Sequence, residues 1–398
     1  MTLHSGEVLG RRVAPVDHLR AHAELLTAAA RDMADRFAAG GRLLVLGSAT
    51  DAQHVAVEFL HPVIVGKRAL PALSLVADVA TLTELARTDP TAVFAAQLEV
   101  LSRPQDIALA ITRSTPDSAL LEGLQAAHER GLLTVALAAA PVAADHVVVV
   151  PSDDPGVVKE GHVSAYHLLW ELVHVFLDPP AAVVDDDPAL ALYPFLSGSS
   201  HTGLETSATT SSRDKLTDVA QLRAALDGAE IDRCADRLAE AFAAGATLIA
   251  FGNGGSSTDT QDVVQTFLAP SRGRALPALC LTNDVAVLTA LANDVGFDVV
   301  FARQLRALAR PGDIAFAVST SGGSGNVLAG LRTARELGLV TVGLAGYDGG
   351  AMRDQGMVDH LFVVPSSSVH RIQEVQTTLY HVLWEAVQDR LSQGAAGQ

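Results

Sequence analysis

The sequence predicts an α/β protein made of two related domains. Each is a parallel β-sheet covered by helices on both faces, a three-layer αβα arrangement. Three observations carry this. Short apolar runs alternate with longer amphipathic stretches along the chain. The short runs are apolar throughout, the pattern of strands buried on both faces. The whole order then recurs in the second half of the 398 residues.

The recurrence is direct. "RALPALSLVADVATLTELA" at 68–86 matches "RALPALCLTNDVAVLTALA" at 274–292, and "FAAQLEVLSRPQDIALAI" at 94–111 matches "FARQLRALARPGDIAFAV" at 301–318. "AHERGLLTVALA" (127–138) answers "ARELGLVTVGLA" (334–345), and "YHLLWELV" (166–173) answers "YHVLWEAV" (380–387). Chance does not produce four such pairs in one order.

Taken in order, each copy opens with an amphipathic helix, about 16–39 and 218–243. A buried strand follows, "LLVLG" or "LIAFG", then a helix, a strand at "LPALSL" or "LPALCL", a helix, and a strand at "DIALAI" or "DIAFAV". The unit closes with a helix, the strands "TVALA" or "TVGLA" and "HVVVVP" or "HLFVVP", and a long final helix. Pro, Asp, Ser and Thr dominate 178–216, which reads as a linker between domains at 1–177 and 217–398; its "ALALYPFL" is expected to dock on a domain surface. Ligands of such sheets bind at the carboxyl ends of the strands.

Composition narrows the function. The chain is 49% hydrophobic and 18% charged, which excludes a disordered protein. A formal net charge of −17 argues against nucleic acid or an anionic membrane as partner. Cys234 and Cys280 have no CxxC spacing, so neither a disulfide framework nor a thiolate zinc site is expected. The N-terminus lacks the apolar core of a signal peptide, and no apolar run is long enough to span a bilayer. The expected compartment is the cytoplasm.

Two loops of the second copy carry phosphate chemistry. "FGNGGSSTD" at 251–259 follows a strand and opens a helix, where glycines let backbone approach a ligand and the helix N-terminus favours anions. It has neither the Walker lysine nor the dinucleotide glycine spacing. "STSGGSGN" at 319–326 offers the hydroxyls of Ser319, Thr320, Ser321 and Ser324 beside another helix N-terminus, a cradle for a phosphate monoester. A plain serine–glycine turn with an N-cap is the bland alternative.

With these loops in view, the second copy resembles a sugar isomerase (SIS) domain of the phosphoheptose isomerase branch. "FGNGGSS", "NDVGFDVVFARQ", "RPGD", "STSGGSGNV", "GYDGG" and "RIQE" stand in that family's order over 218–392, and the first copy resembles the same domain over 16–176 with eroded loops. The resemblance implies a flavodoxin-like sheet and interconversion of sedoheptulose 7-phosphate and D-glycero-D-manno-heptose 7-phosphate through an enediol. It also implies zinc, and a tetramer of SIS units that a duplicated chain would supply as a homodimer. Asn253, Gly254, Ser256, Asn293 and Asp294 are then expected to bind the sugar with the serine loop and Gln373.

The copies divide the family's metal residues. His54 and Glu58, four apart on a helix, match its His-x-x-x-Glu pair, whereas the second copy has Asp262 and Thr266 there. Gln373 and His381 match the later pair, while the first copy has Lys159 and His167. In the first copy "LGSATD" lacks the NGG segment, and Asp117 in "TRSTPDS" would repel a phosphate. The expectation is one composite site between the halves, with zinc on His54, Glu58, Gln373 and His381, and a second, dead site. Eight residues of helix put Gln373 and His381 about 12 Å and about 80° apart, so the last ligand stays open between His381 and His167. Glu58 is the expected base and His381 the expected acid, although Glu58 cannot be both a free base and a tight ligand. A non-catalytic sugar-phosphate sensor and a protein-binding scaffold are the rival readings.

Overall fold

The computed structural model describes residues 4–62, 67–177 and 201–396. Two compact units emerge. One comprises Ala14–Ala220; the other joins the chain from Gln221 onward with the segment up to Val13.

In the N-terminal unit, α2 (Ala14–Ala21) and α3 (Ala23–Ala38) lead into β1 (Leu43–Gly47), α4 (Ala49–Leu60), β2 (Ala72–Ser74), α5 (Val79–Thr88) and α6 (Val93–Leu101). Then come β3 (Ile107–Ile111), α7 (Ser118–Glu129), β4 (Leu133–Ala138), β5 (His146–Val149), α8 (Pro155–Leu177) and most of α9 (His201–Ala224). Among the described residues the strands form one parallel sheet of order β2-β1-β3-β4-β5.

The C-terminal unit takes α1 (Ser5–Arg11) from the start of the chain. It continues with α10 (Gly228–Ala243), β6 (Leu248–Gly252), α11 (Gly255–Leu268), β7 (Ala278–Cys280), α12 (Val285–Asp294), α13 (Val300–Leu308) and β8 (Ile314–Ser319). It ends with α14 (Gly325–Glu336), β9 (Val340–Gly346), α15 (Gly350–Asp354), β10 (His360–Val364) and α16 (Val369–Ala396). Its sheet runs β7-β6-β8-β9-β10, the same order and again parallel. This 2-1-3-4-5 arrangement is the flavodoxin-like one, with its switch point between the first and third strands.

The strands are apolar throughout because the sheet is sandwiched. Leu248, Ala250, Phe316 and Val342 pack on one face with Ile231 and Leu238 of α10, Phe267 of α11 and Leu383 of α16. Their neighbours Ile249, Phe251, Ala315 and Ala317 pack on the other face with Phe301 of α13 and Leu331 of α14. Period-two alternation of side chains thus feeds two cores. Turn chemistry repeats as well. Asp106 accepts from the amides of Arg42 and Arg103 at 2.9 Å each, and Asp313 accepts from Thr247 and Arg310 at 2.8 and 2.7 Å.

Three boundaries differ from expectation. The first lead-in helix breaks at His22, whose backbone leaves the helical region. The second breaks at Asp227, whose carboxylate accepts from the amides of Ala229 and Glu230 and starts a new helix at Gly228. The segment 178–216 is helical from His201, and the unit boundary falls inside α9; the "ALALYPFL" stretch lies outside the described residues. The first residues belong with the C-terminal unit because Val8 and Leu9 enter its core, Ser5 Oγ donates to Asp232 at 2.7 Å, and buried Arg12 pairs with Glu385.

Candidate functional site

In the C-terminal unit, the adjacent strands β6 and β8 deliver both glycine-rich loops to the sheet's carboxyl edge. After β8 the chain turns through Gly322, at φ +61°, where a Cβ would lie 2.1 Å from the Gly349 carbonyl. Only glycine fits there. Ser319 Oγ lies 3.2 Å from Ser324 Oγ and 3.4 Å from Ser321 Oγ, so three of the four predicted hydroxyls converge. The Thr320 carbonyl accepts from Gly346. Ser324 is the N-cap of α14 yet makes no side-chain capping bond. Its hydroxyl joins the serine cluster, and the positive end of the helix stays open to an anion.

The β6 loop is held from beneath. Asn253 and Asn326 exchange amide hydrogen bonds of 2.8 and 2.9 Å, which ties the two loops together. Gly254 stands at φ +55° before α11, Ser256 is buried, and Ser257 Oγ donates to Thr282 at 2.7 Å. The Asn253–Asn326 tie escapes sequence reading, because the partners are 73 residues apart. Asn293 and Asp294 are exposed and bond to one another at 2.7 Å; neither hydrogen-bonds to the cradle.

The equivalent edge of the N-terminal unit is filled by the chain's own charges. Asp117 caps α7, accepting from the Leu120 amide at 2.8 Å. A carboxylate therefore occupies the helix end that Ser324 leaves open in the other copy. Arg113 donates to Asp51 at 2.6 Å and to Thr50, and Lys159 Nζ pairs with the other oxygen of Asp51 while reaching the Tyr166 hydroxyl at 3.3 Å. His162 is fully buried beside these groups, with no hydrogen-bond partner on either ring nitrogen. Burial lowers its pKa to about 4, with the cations Arg113 and Lys159 adding to the effect and Asp51 and the nearby Ala138 carbonyl opposing it.

Beside that network, α4 and α8 bring His54, Glu58 and His167 together. All three are buried, and one ligand atom from each lies within 4.8 Å of the others. The His54 and His167 Nε2 atoms are 3.3 Å apart, and His54 Nε2 is 3.7 Å from Glu58 Oε1. Two nitrogens bound to one tetrahedral zinc stand about 3.4 Å apart, given Zn–N bonds of about 2.0–2.1 Å. The residues therefore fit zinc, and three ligands leave a coordination position open. Trp170 Nε1 donates to the Glu58 carbonyl at 2.8 Å and fixes the spacing of the helices.

In the C-terminal unit α11 and α16 meet in the same way with different chemistry. Asp262 Oδ2 accepts from the Tyr380 hydroxyl at 2.8 Å and lies 3.4 Å from His381 Nε2. Burial, then Asp262 and Asp259, push the Tyr380 phenol well above its ordinary pKa, so it stays a donor. Gln373 is buried, and its Oε1 has no hydrogen-bond partner. Thus His381 shares a cluster with Asp262, and His167 shares one with His54 and Glu58.

Comparison with known proteins agrees with this geometry. The SIS domain family matches residues 15–139 and 213–346. Phosphoheptose isomerase of Roseiflexus sp. (strain RS-1) is 45% identical over 159 residues, 39% of this chain and 80% of that protein. The phosphoheptose isomerase of Geobacter sulfurreducens is 46% identical over 161 residues, 39% of this chain and 83% of that one. Over the whole length, the solved C-terminal domain of glucosamine-fructose-6-phosphate aminotransferase from Francisella tularensis superposes with a TM-score of 0.60 at 11% identity, covering 95% of each chain. That last likeness is one of fold.

Proposed function

Because this chain belongs to the SIS domain family, we propose that it is an aldose–ketose isomerase of a sugar phosphate, with sedoheptulose 7-phosphate and D-glycero-D-manno-heptose 7-phosphate as the interconverted pair. The observation that carries this is the open serine cradle at the N-terminus of α14, in a chain whose relatives include phosphoheptose isomerases. The phosphate is bound by Ser319, Ser321 and Ser324 with Thr320 and the α14 amides, and the sugar lies toward Asn253 and Ser256.

Moving a proton between C1 and C2 needs a base at carbon and an acid at oxygen. Glu58, a buried carboxylate, is the proposed base in the state in which it is not held as a metal ligand. His381, oriented by Asp262, is the proposed acid. His54, Glu58 and His167 would hold zinc, with Gln373 as a further candidate ligand; bound zinc supplies Lewis-acid polarisation of substrate oxygen. The turnover is proposed to need both copies, since one keeps the cradle and the other keeps the His54–Glu58 pair. The sensor reading draws on that same division, because neither copy alone holds every family residue.

The chain is further proposed to act as a cytoplasmic homodimer. No helix of the described residues is long and apolar enough to cross a membrane. Helices α5 and α12 bury no residue and expose Val79 and Val285, which supports a second copy as partner. Turnover is tested by supplying zinc-loaded protein with sedoheptulose 7-phosphate and following the aldose product. Protein that binds the sugar and never converts it sinks the enzyme reading in favour of the sensor.

A further inference from the structure

Helix α16 carries two glutamines with buried polar atoms that lack partners. Gln373 is 2% exposed and its Oε1 is unpaired; Gln376 is 0% exposed, and neither its Oε1 nor its Nε2 has a hydrogen-bond partner. A buried amide left so is penalised relative to a satisfied one, because it has given up water and gained no partner. At 100° per residue, Gln373, Gln376 and Tyr380 lie within about 60° of one another on the helix. Tyr380 donates to Asp262 of α11, so this side of α16 is the one turned toward α11.

The same stretch of helix abuts the cradle's support. A Cβ on Gly346, the last residue of β9, would lie 2.3 Å from Ile372 Cδ1, and the Gly346 amide donates to the Thr320 carbonyl within the serine loop. One turn of α16 is thus seated on the strand end that holds the loop. In the N-terminal unit the matching positions are Lys159 and His162. There Lys159 is paired with Asp51, His162 sits among charges, and the neighbouring helix end is closed by Asp117. The uncharged amides occur in the copy with the open cradle.

We propose that Gln376, together with Gln373, reads the hydroxyls of the sugar chain whose phosphate sits on the serine loop. Gln376 is a specificity-determining residue for a polyhydroxylated, open-chain sugar phosphate. An amide offers a donor and an acceptor, and each sugar hydroxyl is both, so one Gln376 side chain satisfies one or two hydroxyls and is itself satisfied. This rests on the sugar-phosphate reading above.

Calorimetric titration of the full chain with inorganic phosphate and with sedoheptulose 7-phosphate tests it. Gln376→Leu, of similar volume, is expected to weaken the sugar phosphate about tenfold while inorganic phosphate stays within about twofold. The unliganded variant is expected to melt no lower than wild type, since an unsatisfied amide has been removed, and Gln376→Asn guards against a packing artefact of leucine. If both variants bind the sugar phosphate as wild type does, the inference is overturned and the sugar-phosphate reading stands. Equal loss of both ligands also overturns it, by showing a structural role. Wild-type protein that binds inorganic phosphate and not the sugar phosphate overturns the wider reading and this inference with it.

Discussion

The two helix crossings, α4 with α8 and α11 with α16, share a backbone plan and have parted in chemistry. Tyr166 and Tyr380, His167 and His381, and Trp170 and Trp384 stand at matching positions. In the N-terminal crossing His167 faces His54 and Glu58, whereas in the C-terminal one His381 faces Asp262. The edge of the sheet has parted in the opposite sense: Asp117 closes α7, and Ser324 leaves α14 open. One copy has the open serine cluster and the other the buried His54, Glu58 and His167 cluster. Duplication relieves a symmetric assembly of the need to repeat a whole site in each unit, and the losses seen here are complementary rather than shared.

The contrast is best broken by converting one copy into the other. Ser324→Asp gives α14 the capping carboxylate of α7. The expected result is loss of phosphate binding by more than about a hundredfold in calorimetry, from a charge placed where the anion sits. The variant should remain folded, because Asp is a good N-cap. Unchanged binding would mean that the serine cluster is only a turn.

A second conversion concerns metal. His167→Ala and His54→Ala should each lower bound zinc per chain, measured by elemental analysis after dialysis, by removing one ligand of three. His381→Ala should leave zinc bound at the N-terminal set. Zinc content that follows His381 and ignores His167 would reverse the assignment between the two histidines.

The third effect is on stability. His162 has its folded pKa lowered to about 4 from 6.5, so the unfolded chain takes the proton first as pH falls. The fold is therefore unpenalised above about pH 6.5 and loses stability down to about pH 4, by about 3 kcal/mol in total. His162→Gln, which installs the residue of the other copy, should flatten that part of the profile in denaturant titrations at stepped pH. An identical slope in the variant would exclude His162 as the source. Smallest is Asp117→Ala, which removes one helix cap and should cost about 1 kcal/mol in the same measurement.

Much of this was legible in residues alone. Strands such as "LIAFG" and "DIAFAV" announce themselves because both sheet faces are covered, which leaves no polar alternation to confuse with a helix. The serine loop, the His54–Glu58 pair and the hostile Asp117 were legible because their chemistry is local in sequence. The charge network of Arg113, Asp51 and Lys159 was not, since its members are brought together by strand order and a helix 108 residues away. Nor was the capture of α1 by the C-terminal unit, where Val8 and Leu9 give too short an apolar face to show a destination. The orphaned amide of Gln376 is invisible in sequence because glutamine is ordinarily a surface residue.

One measurement bears most directly on the proposal that the copies serve a single reaction: binding and turnover of sedoheptulose 7-phosphate by zinc-supplied Glu58→Gln protein, side by side with wild type. The account predicts wild-type affinity, set by the C-terminal cradle, with turnover reduced by about a thousandfold or more through loss of the N-terminal carboxylate. Turnover by Glu58→Gln at the wild-type rate would contradict it, and would place the whole reaction in the C-terminal copy.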